Sequence, residues 1–109
     1  MITANFNYKN NKVESFEISG HAFAGEPGED LVCAAVSAVT FGLTNSIINL
    51  DESELSIKME DGYLLVENLP TSEAAQTLIY GMITSLQTIE EDQFKYLTVI
   101  ENKQEVETC

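Results

Sequence analysis

The chain has 109 residues, enough for one hydrophobic core and too few for two independent ones. Its apolar content of 44% excludes a disordered chain, and 18 acidic against 5 basic residues leave a formal net charge of -13. All the cations are lysines, so the bidentate arginine contacts that grip phosphate and guanine are missing, and no direct nucleic-acid partner is expected.

High acidity serves solubility, and it also suits a basic protein or peptide steered in from a distance. Both readings stay open. Read linearly, no apolar run is long enough for a bilayer, so no membrane association is expected. The start, Met1-Ile2-Thr3-Ala4-Asn5-Phe6, lacks the basic and apolar regions of a signal peptide. Cys33 and Cys109 lie too far apart in sequence to suggest a disulfide framework, which makes a reducing cytoplasm the expected compartment.

Ile2, Ala4, Phe6 and Tyr8 alternate with other residues at the period of a half-buried strand. Lys9-Asn10-Asn11-Lys12 reads as a hairpin turn, since asparagine tolerates left-handed backbone. Val13, Phe16 and Ile18 mark a second strand ending at Gly20, and segment 20–29, with Gly25, Pro27 and Gly28, reads as an exposed loop. From residue 31 to about 50 the apolar side chains cover most of a helix's circumference. Such a helix is expected to be buried on more than one side, centrally in the fold or at a subunit interface. Asp30 is its expected N-cap.

Two more strands follow at 55–60 and 63–69, joined by the hairpin signal Asp61-Gly62. Pro70 breaks the sheet, and Thr71 or Ser72 caps a second helix running to about residue 91, with Ala74, Ala75, Leu78, Ile79, Met82, Ile83, Leu86 and Ile89 on its apolar stripe. A fifth strand is expected over 94–101, then a polar, frayed tail from about 102. The order ββαββαβ is that of an α+β fold: a sheet with two helices, the first largely buried, in one domain over 1–109.

The only histidine, His21, and Cys33 flank the glycine-rich loop. A thiol needs a base to become a nucleophile near neutral pH, and imidazole is the side chain best suited to that task. Capped by Asp30, the helix would hold Cys33 in its first turn, where free N–H groups and the dipole favour thiolate and offer oxyanion donors. Singly, Cys33 reads as a small core residue and His21 as a strand-end histidine; together they point to a nucleophilic pair. Asp30 has two possible tasks, capping the helix and orienting the imidazole. Ser37, one turn after Cys33, either reaches the site with its hydroxyl or packs against a neighbour. One histidine and two distant cysteines do not form a zinc set, and no cofactor is called for.

Gly20-His21-Ala22, then Gly28-x-Asp30-Leu31-Val32-Cys33-Ala34-Ala35-Val36-Ser37 and Ala38-Val39-x-Phe41-Gly42, resemble the signature of the ribosomal-processing cysteine proteases, the Prp family. Ser85-Leu86-Gln87-Thr88-Ile89-Glu90-Glu91 in the second helix and the order of elements resemble it too. The resemblance implies a cytoplasmic, homodimeric endopeptidase that removes a short N-terminal extension from large-subunit ribosomal protein L-twenty-seven. It makes His21 and Cys33 the catalytic dyad, with Asp30 and Ser37 in supporting positions. It places Ala22, Phe23, Gly25 and Gly28 in a mobile substrate loop. Phenylalanines before the cut and alanine after it imply an apolar pocket near Cys33. Two other readings remain: an acidic, non-catalytic module binding a basic ribosomal or assembly protein, and a redox-sensing thiol protein.

Overall fold

The computed structural model describes residues 1–26, 29–51 and 54–103. Its elements are β1 (Ile2–Lys9), β2 (Lys12–Ser19), α1 (Leu31–Asp51), β3 (Ser56–Glu60), β4 (Tyr63–Glu67), α2 (Glu73–Asp92) and β5 (Leu97–Asn102). This is the expected ββαββαβ order. The strands form one sheet in the order β3-β4-β2-β1-β5. All neighbours are antiparallel except β1 and β5, which run parallel from Ile2 opposite Leu97.

Local chemistry explains the turns. Asn10 and Asn11 both take positive φ, 53° and 64°, so a two-residue turn follows the twist of β1 and β2. One extra residue, Glu14, enters β2 between the pairs Asn7–Ser15 and Tyr8–Val13. This bulge turns Val13 and Phe16 to the same side although three positions separate them.

Ile2, Ala4 and Phe6 are buried on one side of β1, while Thr3, Asn5 and Asn7 on the other keep solvent exposure. Both helices therefore cover the same face, with Phe6, Phe16, Val66, Ile79, Met82 and Leu86 at the centre of the core. Gln76 bolts α2 to β2. Its Oε1 accepts from the Val13 N–H (2.9 Å), and its Nε2 donates to the carbonyls of Val13 and Pro70 (both 3.0 Å). Ser72 is the cap of α2, accepting from the Ala75 N–H at 3.2 Å.

Three expectations are corrected. Within one chain α1 buries a single stripe, Val32, Val36, Thr40, Thr44 and Ile47, while Leu31, Phe41 and Leu50 stay exposed. The sequence carries enough apolar side chains for a helix buried on several sides, but one chain supplies a partner for only one of them. At 21 residues α1 is also long and apolar enough, by length and composition, to cross a membrane. Its interspersed serines, threonines and asparagines break the run to the eye yet leave its average apolar; in the fold it packs against α2. Finally, β5 begins at Leu97 rather than at residue 94. Residues 94–96 form the turn that follows α2, with Tyr96 and Leu97 donating N–H bonds to the Gln93 carbonyl. Pro27, Gly28 and most of the tail from 102, including Cys109, lie outside the described residues.

Candidate active site

The site forms where the end of β2, the start of α1 and the β3–β4 turn converge. Gly20 ends β2 at φ +96°, donating its N–H to the Gly62 carbonyl at 2.8 Å. A Cβ on Gly20 would lie 2.2 Å from the Met1 carbonyl oxygen, so glycine is a steric requirement there. The next residue, His21, accepts the Met1 amino group at its carbonyl (2.7 Å) and leaves its side chain half-exposed. Its backbone is thus held from both neighbouring segments while the imidazole points to the cleft.

Asp30 caps α1. Its Oδ1 accepts from the Cys33 N–H at 2.9 Å, and its carbonyl accepts from the Ala34 N–H at 3.0 Å. Its Oδ2 accepts from the Ala24 N–H at 3.1 Å, tying the loop to the helix start. The Cys33 N–H above all, with those of Ala24 and Val32, holds the Asp30 carboxyl below the ordinary carboxylate range. Of its two possible tasks, Asp30 performs the first; both oxygens are engaged with backbone rather than with imidazole. Cys33 sits half-buried in the first turn, as expected. Its own N–H, however, is already given to Asp30, and would have to leave that bond to serve an oxyanion.

His21 and Cys33 share the walls of two hollows. One, of about 280 Å³, is largely apolar and runs under the β3–β4 hairpin among Ile2, Val36, Phe41, Met59 and Leu64. The other, of about 600 Å³, lies beneath the loop against Phe23, Gly25, Asp30 and Ala34. Ser37 lines both, so it faces the site rather than a neighbouring element. Phe23 stands 79% exposed at φ +55°, its ring 5.6 Å from the imidazole centroid. Ala22 differs from the other loop residues: its methyl is buried in the core, so it anchors the loop instead of facing the cavity.

One participant was not singled out from sequence. The carboxylate beside the imidazole is Asp61, with Oδ2 3.7 Å from His21 Nε2. Asp61-Gly62 signalled a hairpin and nothing more, because only the pairing of β4 with β2 brings that turn to His21. The arrangement combines a thiol at a capped helix start, a base on a fixed backbone, and an open channel on either side of both. That constellation is suited to covalent attack on an extended chain.

The family described as cysteine protease Prp matches residues 1–98. A ribosomal processing cysteine protease Prp of Bacillus subtilis is 44% identical over 111 residues, covering 94% of this chain and 98% of the relative. The crystal structure of an essential ribosomal processing protease Prp from S. aureus, with a covalently linked product peptide, superimposes with a TM-score of 0.87 at 35% identity. It covers 95% of this chain and 100% of that one. The same protease with a substrate peptide gives a TM-score of 0.81 at 35% identity and the same coverage. Sequence, architecture and a cleft built around a cysteine thus agree, and the chain belongs to the Prp family of ribosomal-processing cysteine proteases.

Proposed function

We propose that this protease removes a short N-terminal extension from large-subunit ribosomal protein L-twenty-seven, with Cys33 as nucleophile and His21 as general acid and base. The observation that carries the reading is the shared placement of His21 and Cys33 at the junction of the two hollows. A peptide laid through both would present one bond to the thiol. Both hollows are mostly apolar, which suits phenylalanine before the cut and alanine after it.

The chemistry then runs in two stages. The Cys33 thiol gives its proton to His21, and Sγ bonds to the carbonyl carbon, forming a tetrahedral oxyanion. The C–N bond breaks as His21 returns the proton to the leaving amine, which departs and leaves a thioester. Water gives a proton to His21 and its oxygen attacks the thioester carbonyl; the C–S bond breaks, and Cys33 regains the proton. No cofactor enters this cycle. Asp30 serves it by fixing the turn that carries Cys33, and Ser37 by lining both sides of the reacting bond.

The reading extends to setting. A free thiol nucleophile fits a reducing cytoplasm. A net charge of -13 attracts a basic ribosomal protein and repels the RNA that protein later binds. Raising salt should therefore weaken capture of the full-length substrate more than that of a neutral short peptide; equal loss would leave acidity as a solubility feature. A homodimer fits the exposed stripe of α1, Leu31, Ala34, Ala38 and Gly42, whose small residues let a second helix approach closely.

The deciding experiment is mass spectrometry of a peptide spanning the N-terminal extension, incubated with wild type and with Cys33→Ala. A single cut before alanine, absent in the variant, is expected. No cut by well-folded wild type would overturn the proposal.

A further inference from the structure

We infer that the Asp61-Gly62 turn is the seat of the His21 imidazole, and that Asp61 is a positioning residue for the Cys33–His21 pair. The inference rests on the catalytic reading above and adds to the pair a third residue, one that bears a carboxylate.

The register of the sheet places the turn. Glu60 pairs with Tyr63, leaving Asp61 and Gly62 as the two turn residues, and Ser19 pairs with Tyr63 across β2 and β4. The turn therefore reaches past the last paired residue of β2, level with Gly20 and His21. The Gly20 N–H bond to the Gly62 carbonyl, 2.8 Å, fixes this alignment through backbone alone.

Contact with the ring is close. A Cβ on Gly62 would lie 2.5 Å from His21 Nε2, 3.0 Å from Cδ2 and 3.1 Å from Cε1. Gly62 also has φ +67°, so both its backbone and its missing side chain suit the position. The Nε2 edge of the imidazole thus rests on the glycine. Asp61 Oδ2, 3.7 Å from the same nitrogen, stands at ion-pair distance, somewhat longer than a hydrogen bond. Nε2, Cδ2 and Cε1 are the ring atoms nearest Gly62, so Nδ1 is on the edge turned away from it, and the thiol proton is assigned to that nitrogen. When Nδ1 takes the thiol proton, the Nε2 proton of the imidazolium faces the Asp61 carboxylate. The carboxylate then opposes rotation of the ring away from Cys33 during the cycle.

The Asp61 side chain is 99% exposed, so its charge is strongly screened and its influence is mainly directional. Asp61→Asn should lower kcat by about tenfold, less than the loss of a full acid–base group, with KM within about twofold of wild type. Gly62→Ala, which displaces the ring, should lower kcat further. Asp61→Glu should recover part of the loss, and Glu67→Gln, removing a carboxylate elsewhere on β4, should leave kcat unchanged. Unfolding midpoints of Asp61→Asn and wild type should coincide, separating positioning from folding.

The same variants should be tested by iodoacetamide alkylation of Cys33, read by mass spectrometry on the Cys33 peptide, with His21→Ala as reference. Slower alkylation in Asp61→Asn and Gly62→Ala, in the direction of His21→Ala, is expected. If wild type cleaves peptide and Asp61→Asn cleaves equally well, the inference fails and the protease reading stands. If wild type does not cleave, that reading fails, and the alkylation series alone decides: rates equal to wild type would overturn the role of the turn.

Discussion

Exchanging glycine for alanine should have opposite consequences at two positions. At Gly20 the backbone has φ +96°, a conformation that costs an L residue about 1–2 kcal/mol. The added Cβ would also sit 2.2 Å from the Met1 carbonyl oxygen, a backbone atom that moves only if the start of β1 moves. That shift strains the Gly20 bond to the Gly62 carbonyl and the Met1 bond to the His21 carbonyl, each worth about 1 kcal/mol net. The sum is about 3 kcal/mol, or a fall of about 15 °C in Tm for a domain of this size. Gly81 lies inside α2, where a Cβ meets nothing within 4 Å, so Gly81→Ala should gain up to about 1 kcal/mol from helix propensity. Urea unfolding with unchanged m-values is the assay. A loss below about 1 kcal/mol for Gly20→Ala, or shifts of one sign in both variants, would refute the reasoning.

Gln76→Ala removes three partly buried hydrogen bonds, two to Val13 of β2 and one to the Pro70 carbonyl, with a loss of about 2–3 kcal/mol expected in urea unfolding. A change within error would mean that water replaces the amide there. Asp30 gives a pH signature. Its carboxyl is depressed in the folded state, so its contribution is complete above the unfolded-state value and is lost as pH falls through the folded one. The stability difference between wild type and Asp30→Asn should be constant above roughly pH 5 and should decay below 3.8, the ordinary carboxyl value. A difference that persists unchanged into strong acid would mean that the Cys33 and Ala24 N–H bonds do not stabilise the carboxylate. Ala38→Glu places charge on the exposed stripe of α1 and should convert a dimer to monomers in light scattering. An intact dimer would put the subunit contact elsewhere.

Much of this site was legible because its parts are local. The cap is a contact over three residues, Asp30 to Cys33, and needs no knowledge of the remaining fold. The glycine before the histidine and the alternation in β1 are likewise written in adjacent residues. Asp61 was not legible, since it lies forty residues from His21 and nothing in an Asp-Gly pair separates a turn from a turn that bears on chemistry. The exposure of α1 was hidden for a related reason: apolar density records how much surface seeks cover, not which chain supplies it. The Glu14 bulge did leave a trace, in the three-residue spacing of Val13 and Phe16 that strict alternation forbids.

The parallel pairing of β1 with β5 joins Ile2 to Leu97 and Asn7 to Asn102, so strands far apart in sequence meet in one ladder. His21, Cys33 and Asp61 all lie in the first two thirds of the chain, yet the sheet beneath them lacks one flank of β1 until residues 97–102 arrive. Such long-range closure makes folding slower than in a fold of local contacts. The cleft therefore leans on an element that never touches it: unpairing β5 from β1 should loosen the platform under His21 and Cys33, although no residue of β5 lines either hollow.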